Sequence, residues 1–455
     1  MGGPQRQPNI LFFFTDQQRW DTCGCYGQPL EVTPNLDRMA REGVRFENAF
    51  TCQPVCGPAR SCIQTGRYAT ETGCFRNGIG LPPQERTIAH LLSEAGYEAG
   101  YIGKWHLAST APEADYHTKA VPPERRGGYG DYWLASDVLE FTSHGYDGHM
   151  FNAAMQKVEF TGYRVDCLTD FALDYLRTRD GRRPFFLFLS YIEPHHQNDH
   201  HRYEGPEGSR ERFGDFVVPG DLAGTAGDWR ENYPDYLGCI HSLDRNLGRI
   251  RDELAELDMA RSTLIVYTSD HGSHFCTRNA EYKRSCHDGC ARIPLVICGP
   301  GFQGGLVRTE LVSLIDMAPT VLAAAGVDRP AHMRGQPLQR LLEEGAQGWR
   351  DEIFMQISES HVGRAIRTAR WKYSVRAPNK HGARDAASDL YVEDFLYDLE
   401  SDPHERNNLV TDVRLAQVRH ELRGRLRRQM LGAGEQEPRI EPAPGDPPPR
   451  TSAGE

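Results

Sequence analysis

The chain has 455 residues, of which 39% are hydrophobic, 10% aromatic and 25% charged. That supplies enough apolar mass for a sizeable core and excludes disorder as the main state. Lys+Arg 52 against Asp+Glu 63 leaves a formal net charge of -11, which removes the basic footprint of a nucleic-acid or anionic-membrane binder. An anionic ligand must then be held by a local cluster of cations. No stretch approaches the ~20 apolar residues of a membrane helix. The early apolar run 10–14 is too short for the hydrophobic part of a signal peptide, so the expectation is a cytoplasmic protein without membrane contact. Twelve cysteines scattered from Cys23 to Cys298 are too sparse for a disulfide scaffold and are expected to be mostly reduced.

Five apolar segments, 9–14, 98–102, 185–191, 263–268 and 292–298, are short, unalternating and rich in Ile, Val, Leu and Phe, the pattern of strands buried on both faces of a parallel sheet. Helical periodicity lies between them at 34–42, 87–95, 163–179 and 234–257. This alternation predicts a doubly wound α/β sheet. Each of the first four strands runs into a polar cluster: Thr15-Asp16-Gln17, Lys104 with His106, His195-His196, and Asp270-His271. In open α/β sheets ligands bind beyond the carboxyl ends of strands, so the four clusters are expected to converge. From about residue 352 the pattern changes to short alternating segments at 352–356, 365–368, 372–376 and 395–398, followed by a helix over 413–431. A small antiparallel α+β subdomain is expected there. Residues 435–455 carry six prolines and are expected to be a disordered tail.

The sharpest local pattern is Cys56-Gly57-Pro58-Ala59-Arg60, followed by Thr65-Gly66-Arg67. Further along stand Gly103-Lys104-Trp105-His106, Pro194-His195, Ser269-Asp270-His271-Gly272, Lys283 with Arg292-Ile293-Pro294 nine residues on, and Leu396-Tyr397-Asp398 with Asp402-Pro403. In this order the elements strongly resemble the type I sulfatases of the alkaline-phosphatase superfamily, over about residues 8 to 410. The resemblance implies an alkaline-phosphatase-like α/β sandwich: a large mixed, mainly parallel sheet flanked by helices, and a smaller C-terminal subdomain with an antiparallel sheet. The boundaries are then 1–349, 350–434 and the tail 435–455.

The same resemblance implies that a formylglycine-generating or sulfatase-maturing enzyme oxidises Cys56 to formylglycine. The aldehyde hydrate carries two hydroxyls on one carbon. One attacks sulfur and displaces the alcohol; the other expels sulfate as the carbon returns to the aldehyde. Cys56 precedes an apparent short helix, whose N-terminus adds partial positive charge beside an anionic ester. Asp16, Gln17, Asp270 and His271, with the modified Cys56, are the metal-ligand candidates. Oxygen donors from separate strand ends suit a hard divalent cation, and Ca2+ is what the resemblance implies.

Arg60, Lys104 and Lys283 supply positive charge for the sulfuryl group. Imidazole titrates near neutrality, and the resemblance implies that His106 assists collapse of the hydrate and His195 protonates the leaving oxygen. His196 can exchange roles with His195 or contact substrate. His287 and Asp288 offer hydrogen bonds to sugar hydroxyls, or else form a structural ion pair. The histidine-rich run 195–201 reads as pocket lining rather than as a zinc site, and the regions 127–148 and 200–227 as loops that shape the pocket.

Two departures bear on the chemistry. Gln17 stands where many members have a second Asp, and His271 where many have Asn. Less negative charge and an imidazole keep Mn2+ or Mg2+ open as the metal. Similar substitutions in phosphonate monoester hydrolases of the superfamily keep a phosphonate or phosphodiester substrate open beside the leading expectation, a sulfated carbohydrate. A catalytically silent sulfated-glycan-binding protein, with Cys56 an unmodified thiol, is the alternative of another class.

Overall fold

In the computed structural model, which describes residues 7–343 and 347–444, the apolar segments become the centre of a large sheet. Its strands are β1 (Asn9–Asp16), β2 (Val44–Phe50), β3 (Glu98–Lys104), β4 (Tyr132–Ser136), β5 (Asp147–Asn152), β6 (Lys157–Thr161), β7 (Phe185–Pro194), β8 (Thr263–Ser269), β9 (Arg292–Ile293), β10 (Leu295–Cys298) and β11 (Leu306–Ser313). They run in the order β11-β2-β10-β8-β1-β7-β3-β4-β5-β6, with β9 beside β2. β8, β1, β7, β3 and β4 are mutually parallel, which brings their carboxyl ends to one edge.

β1 shows why its sequence does not alternate. Ile10, Phe12 and Phe14 face one apolar core while Leu11 and Phe13 face another, so both sides are buried. Phe12 stacks on Phe188 of β7 at 4.6 Å, and Phe13 on Tyr267 of β8 at 5.2 Å. The helices Pro34–Glu42, Arg164–Thr178 and Trp229–Glu256 contribute to the core on the second side, and Cys56–Thr65, Ile88–Glu94 and Met317–Ala324 to that on the first.

The segment 292–298 departs from expectation. Pro294 cannot donate to a ladder and divides it into β9 and β10, and β10 runs antiparallel to both β2 and β8.

The second sheet comprises β12 (Glu352–Ile357), β13 (Gly363–Thr368), β14 (Trp371–Arg376) and β15 (Leu390–Asp398), antiparallel in sequence order. Helix Ala416–Gly432 covers it with Leu422, Leu426 and Met430. The expectation of a disordered tail fails for its first part. Glu435 pairs with buried Arg364 at 2.8 Å, and β16 (Arg439–Glu441) adds a parallel strand to β15, with Ile440 opposite Tyr391 and buried. One apolar side chain between prolines was enough to anchor this edge. Residues 445–455 of that expectation lie outside the described residues. The subdomain does not own a separate core: Phe354, Ile366, Tyr373 and Leu396 belong to the same apolar cluster as Phe12 and Phe188. Among the described residues no cysteine is paired, and no helix is long and apolar enough to cross a membrane.

Candidate active site

The carboxyl ends of β1, β3, β7 and β8 deliver Asp16, Lys104, Pro194 and Ser269, and the next residues add Gln17, His195, Asp270 and His271. Opposite them, the helix Cys56–Thr65 is buried along its whole length and begins at Cys56. Gly103 is required by a close approach. It sits at φ +104, and a Cβ there would lie 1.9 Å from the Ser190 carbonyl. Gln17 and His106 also hold left-handed backbone, at φ 70 and 59, a local strain often found where side chains must be aimed at a reaction.

Cys56 Sγ is the point of convergence. It lies 3.3 Å from Asp16 Oδ1, 3.3 Å from His271 Nε2 and 2.9 Å from Lys283 Nζ. Asp16 Oδ2 is paired twice, with Arg60 Nη2 and Lys104 Nζ, each at 2.9 Å. Arg60 is fixed further by donating to the Lys104 carbonyl (2.8 Å) and to Ser190 Oγ (2.6 Å). Lys283 Nζ also donates to His195 Nε2 at 3.0 Å, while His195 Nδ1 lies 2.6 Å from the His196 carbonyl. His195 is thereby set as the Nδ1–H tautomer with its Nε2 lone pair toward Lys283. His271 is oriented the same way, Nδ1 lying 2.9 Å from the Gly272 carbonyl and Nε2 turned inward.

The donor set fits a divalent cation. Asp16, Cys56, Asp270 and His271 bring ligand atoms within 4.8 Å of one another, all buried. Gln17 Oε1 and Asp270 Oδ2 are buried without any hydrogen-bond partner, Asp270 Oδ2 meeting Arg60 Nε only at 3.9 Å and His271 Nε2 at 3.6 Å, an expensive arrangement unless a positive group sits closer. The other atoms of these two side chains are committed. Gln17 Nε2 donates to Tyr203 Oη (2.6 Å), and Asp270 Oδ1 accepts from the backbone N–H groups of Gln17 (2.9 Å) and His271 (2.8 Å).

The electrostatics follow from burial of mixed charge. Burial and Asp16 push the Cys56 thiol up, but Lys283, Lys104 and His271 outweigh them and bring it down to about 7. Burial and the neighbouring Asp16 raise Asp270 to about 7. Asp16 is held well below the usual carboxylate range: burial opposes this, and Lys104, His195, Arg60 and Lys283 overcome it. Burial, with Lys104 beside it, lowers His106 to about 4, and burial with Lys283 lowers His195 well below its ordinary value. Both imidazoles are neutral at neutral pH.

Residues 8–327 match the sulfatase family model, and residues 280–431 match the model for the C-terminal region of N-sulphoglucosamine sulphohydrolase. The chain belongs to the sulfatase family. It is a sulfuric ester hydrolase of the alkaline-phosphatase superfamily. It is 31% identical to the uncharacterized sulfatase YidJ of Escherichia coli K12, over 92% of this chain and 86% of that one. It is 26% identical to an N-acetylglucosamine-6-O-sulfatase of Bacteroides thetaiotaomicron, over 92% and 85%. A Bacteroides thetaiotaomicron structure solved in work on glycosaminoglycan metabolism superposes with a TM-score of 0.82 at 22% identity, covering 94% of this chain and 97% of the other, a likeness of fold.

In this sulfatase most of the residues singled out from sequence converge: Asp16, Gln17, Cys56, Arg60, Lys104, His195, Lys283, Asp270 and His271 form one buried constellation. His106 stands in the field of Lys104 and Glu140, its Nδ1 buried without a partner. His196 lies against His195 (4.4 Å) and Tyr282 (4.3 Å), in a lining position.

His287 and Asp288 are corrected. His287 is buried between Ser285 Oγ and Tyr397 Oη, each at 3.1 Å, and against the Phe395 ring. Asp288 pairs with Lys372 and Arg367. Both residues sit where the two sheets join, and the ion pair Asp288 makes is with Lys372 and Arg367, not with His287.

Three residues of the sulfatase site escaped the sequence. Glu140 Oε1 holds Lys104 Nζ at 2.9 Å, and its Oε2 is buried and unpartnered. Tyr203 holds Gln17, and Asn77 Oδ1 accepts from the Gly57 N–H at 2.9 Å. Glu140 and Tyr203 do lie in the two loops expected to shape the pocket, but no spacing or motif distinguished them there.

Proposed function

We propose that this sulfatase releases sulfate from a sulfated carbohydrate, using a formylglycine made from Cys56 by a maturing enzyme and a divalent cation held by Asp16, Gln17, Asp270 and His271. The observation that carries the chemistry is the convergence of Lys283, Asp16 and His271 on Cys56 Sγ within 3.3 Å. Oxygen-rich donors favour Ca2+, with Mn2+ admitted by the imidazole and Mg2+ by the carboxylates. When bound, the cation supplies charge neutralisation and acidifies the group at position 56. The aldehyde hydrate at position 56 supplies the nucleophile and, later, the means of expelling sulfate.

The remaining work falls to this chain's own side chains. Lys104 and Lys283 offer fixed positive charge where the sulfuryl oxygens gain negative charge, in a site that water cannot relax. Arg60 keeps Asp16 aimed and ionised. Lys283 donates to His195 Nε2, so this pair carries the proton nearest the leaving oxygen. His106 is neutral with its Nδ1 unpartnered, so as the Nε2–H tautomer it offers a lone pair to take a proton from position 56.

Two features bear on the choice between a sugar and an aryl or steroid ester. Two relatives matched over 92% and 94% of this chain are named an N-acetylglucosamine-6-O-sulfatase and an ulvan-active sulfatase, beside a steryl-sulfatase over 92% and an arylsulfatase over 89%. The wall beside Cys56 is polar: Asn77 N–H donates to Glu359 Oε1 (2.7 Å), and Glu359 pairs with Arg284 at 2.6 Å. Sulfate release from glucosamine 6-O-sulfate and sulfated oligosaccharides, compared with p-nitrophenyl sulfate and a phosphodiester on one matured preparation, tests the reading. Turnover of a sulfated sugar above both controls is expected. Turnover confined to the aryl ester would overturn the carbohydrate assignment, and faster phosphodiester cleavage would favour the phosphonate-type reading that Gln17 and His271 left open.

A further inference from the structure

Residues 139–148 and 195–204 pack against each other beside the site. Gln197 Nε2 donates to the carbonyls of Glu140 (3.1 Å) and Ser143 (3.4 Å). Where the two segments meet, three side chains that the reaction does not use bring ligand atoms together. His144 Nε2 lies 2.8 Å and His200 Nε2 3.9 Å from the same atom, Asp199 Oδ2, and all three lie within 4.8 Å of one another. The two imidazole rings are stacked with centroids 4.9 Å apart and 13° between their planes.

The atoms behind these three are occupied in the manner of an outer shell. Asp199 Oδ1 accepts from Gln197 Nε2 at 2.9 Å. His200 Nδ1 lies 2.6 Å from Glu204 Oε1, which Arg202 Nε contacts at 3.2 Å. A carboxylate on the far nitrogen fixes the proton there and leaves Nε2 free to ligate. An exposed His–Asp contact alone is worth about 0–1 kcal/mol, little reason for two imidazoles to be held face to face over one carboxylate oxygen.

We propose that His144, Asp199 and His200 form a second metal site, for a borderline divalent ion of the zinc class, at the junction of the two segments. Two imidazoles and one carboxylate suit Zn2+, Co2+ or Ni2+ and are poor for Ca2+ or Mg2+. Zinc bonds of about 2.0–2.1 Å place tetrahedral donors about 3.3 Å apart, between the 2.8 and 3.9 Å seen here. Rings stacked 13° from parallel do not both aim Nε2 at one ion, so ligation also turns one imidazole out of the stack; at 41% to 55% exposure the side chains have room to do so, and water completes the coordination. An ion there ties the segment carrying Glu140, which holds Lys104, to the segment carrying His195, which meets Lys283. It therefore stiffens the cleft without touching substrate. The sequence reading of 195–201 as pocket lining rather than a zinc site did not include His144, which lies 55 residues from Asp199.

The test is a Zn2+ titration of the full-length protein with Ca2+ in excess, followed by competition with a chromophoric chelator. One saturable equivalent is expected for the wild type and for Cys56→Ala, lost in His144→Ala/His200→Ala and weakened about 10–100-fold in Glu204→Gln. As a readout that needs no variant, Zn2+ should protect His144 and His200 from diethylpyrocarbonate in peptide mapping while other exposed histidines still react. An equivalent that persists in the double variant, or wild-type protein that shows no saturable equivalent and no protection, would overturn the proposal.

Discussion

Lys104 is fully buried, and burial alone would strip its proton. Asp16 and Glu140, each 2.9 Å from Nζ, instead hold it above its ordinary value. The charge therefore persists at neutral pH, as the role proposed for Lys104 toward the sulfuryl oxygens requires. Lys104→Ala should lower kcat about 10²–10³-fold, the usual loss for one preorganised charge or donor, as steady-state sulfate release will report. Glu140→Gln tests positioning rather than contact: Lys104 keeps Asp16 but loses its second anchor, so kcat should fall while KM changes little. An unchanged kcat would show that Asp16 alone orients Lys104. Cys56→Ala should abolish turnover while leaving the fold intact, since the helix it begins is held by Ala59, Cys62 and Ile63 in the core.

At the scale of elements, the two sheets are joined by buried charge as well as by apolar packing. Lys372 of β14, fully buried, pairs with Asp288 and Glu405. Removing one partner of such a group costs about 3–5 kcal/mol, because the remaining charges stay buried and unpaired. Lys372→Met should thus lower the urea midpoint strongly, whereas replacing exposed Arg414 should not. Deleting residues from Pro438 onward removes β16 and bares the edge of β15, which predicts a smaller loss of stability and a greater tendency to associate through that edge.

The same elements show where sequence was informative. Strands buried on both faces announce themselves by unbroken apolar runs, and the polar residues at their ends were read correctly as converging. Edge and short strands such as β5, β6 and β16 carry half-exposed, mixed sequences, and pairing decides them, not local pattern. His287 and Asp288 were misplaced for a related reason: a His-Asp pair near Lys283 looks alike whether it faces solvent or a second sheet.

For the whole molecule, the site is a property of topology. Parallel β8, β1, β7 and β3 gather side chains from Asp16 to Lys283, more than 250 residues apart in sequence, and the C-terminal sheet closes the wall through Glu359 and Arg284. The buried, unpartnered Gln17 Oε1 and Asp270 Oδ2 predict that chelation by EDTA abolishes turnover and that Ca2+ or Mn2+ restores it. Activity unaffected by exhaustive chelation would show that turnover needs no cation at this site.

The nucleophile proposed for position 56 is a formylglycine. Mass spectrometry of the peptide containing Cys56, on protein produced with a maturing enzyme and shown to release sulfate, tests it most directly. Conversion of the thiol to the aldehyde in proportion to activity across preparations is expected. Full activity in protein whose Cys56 remains an unmodified thiol would contradict it.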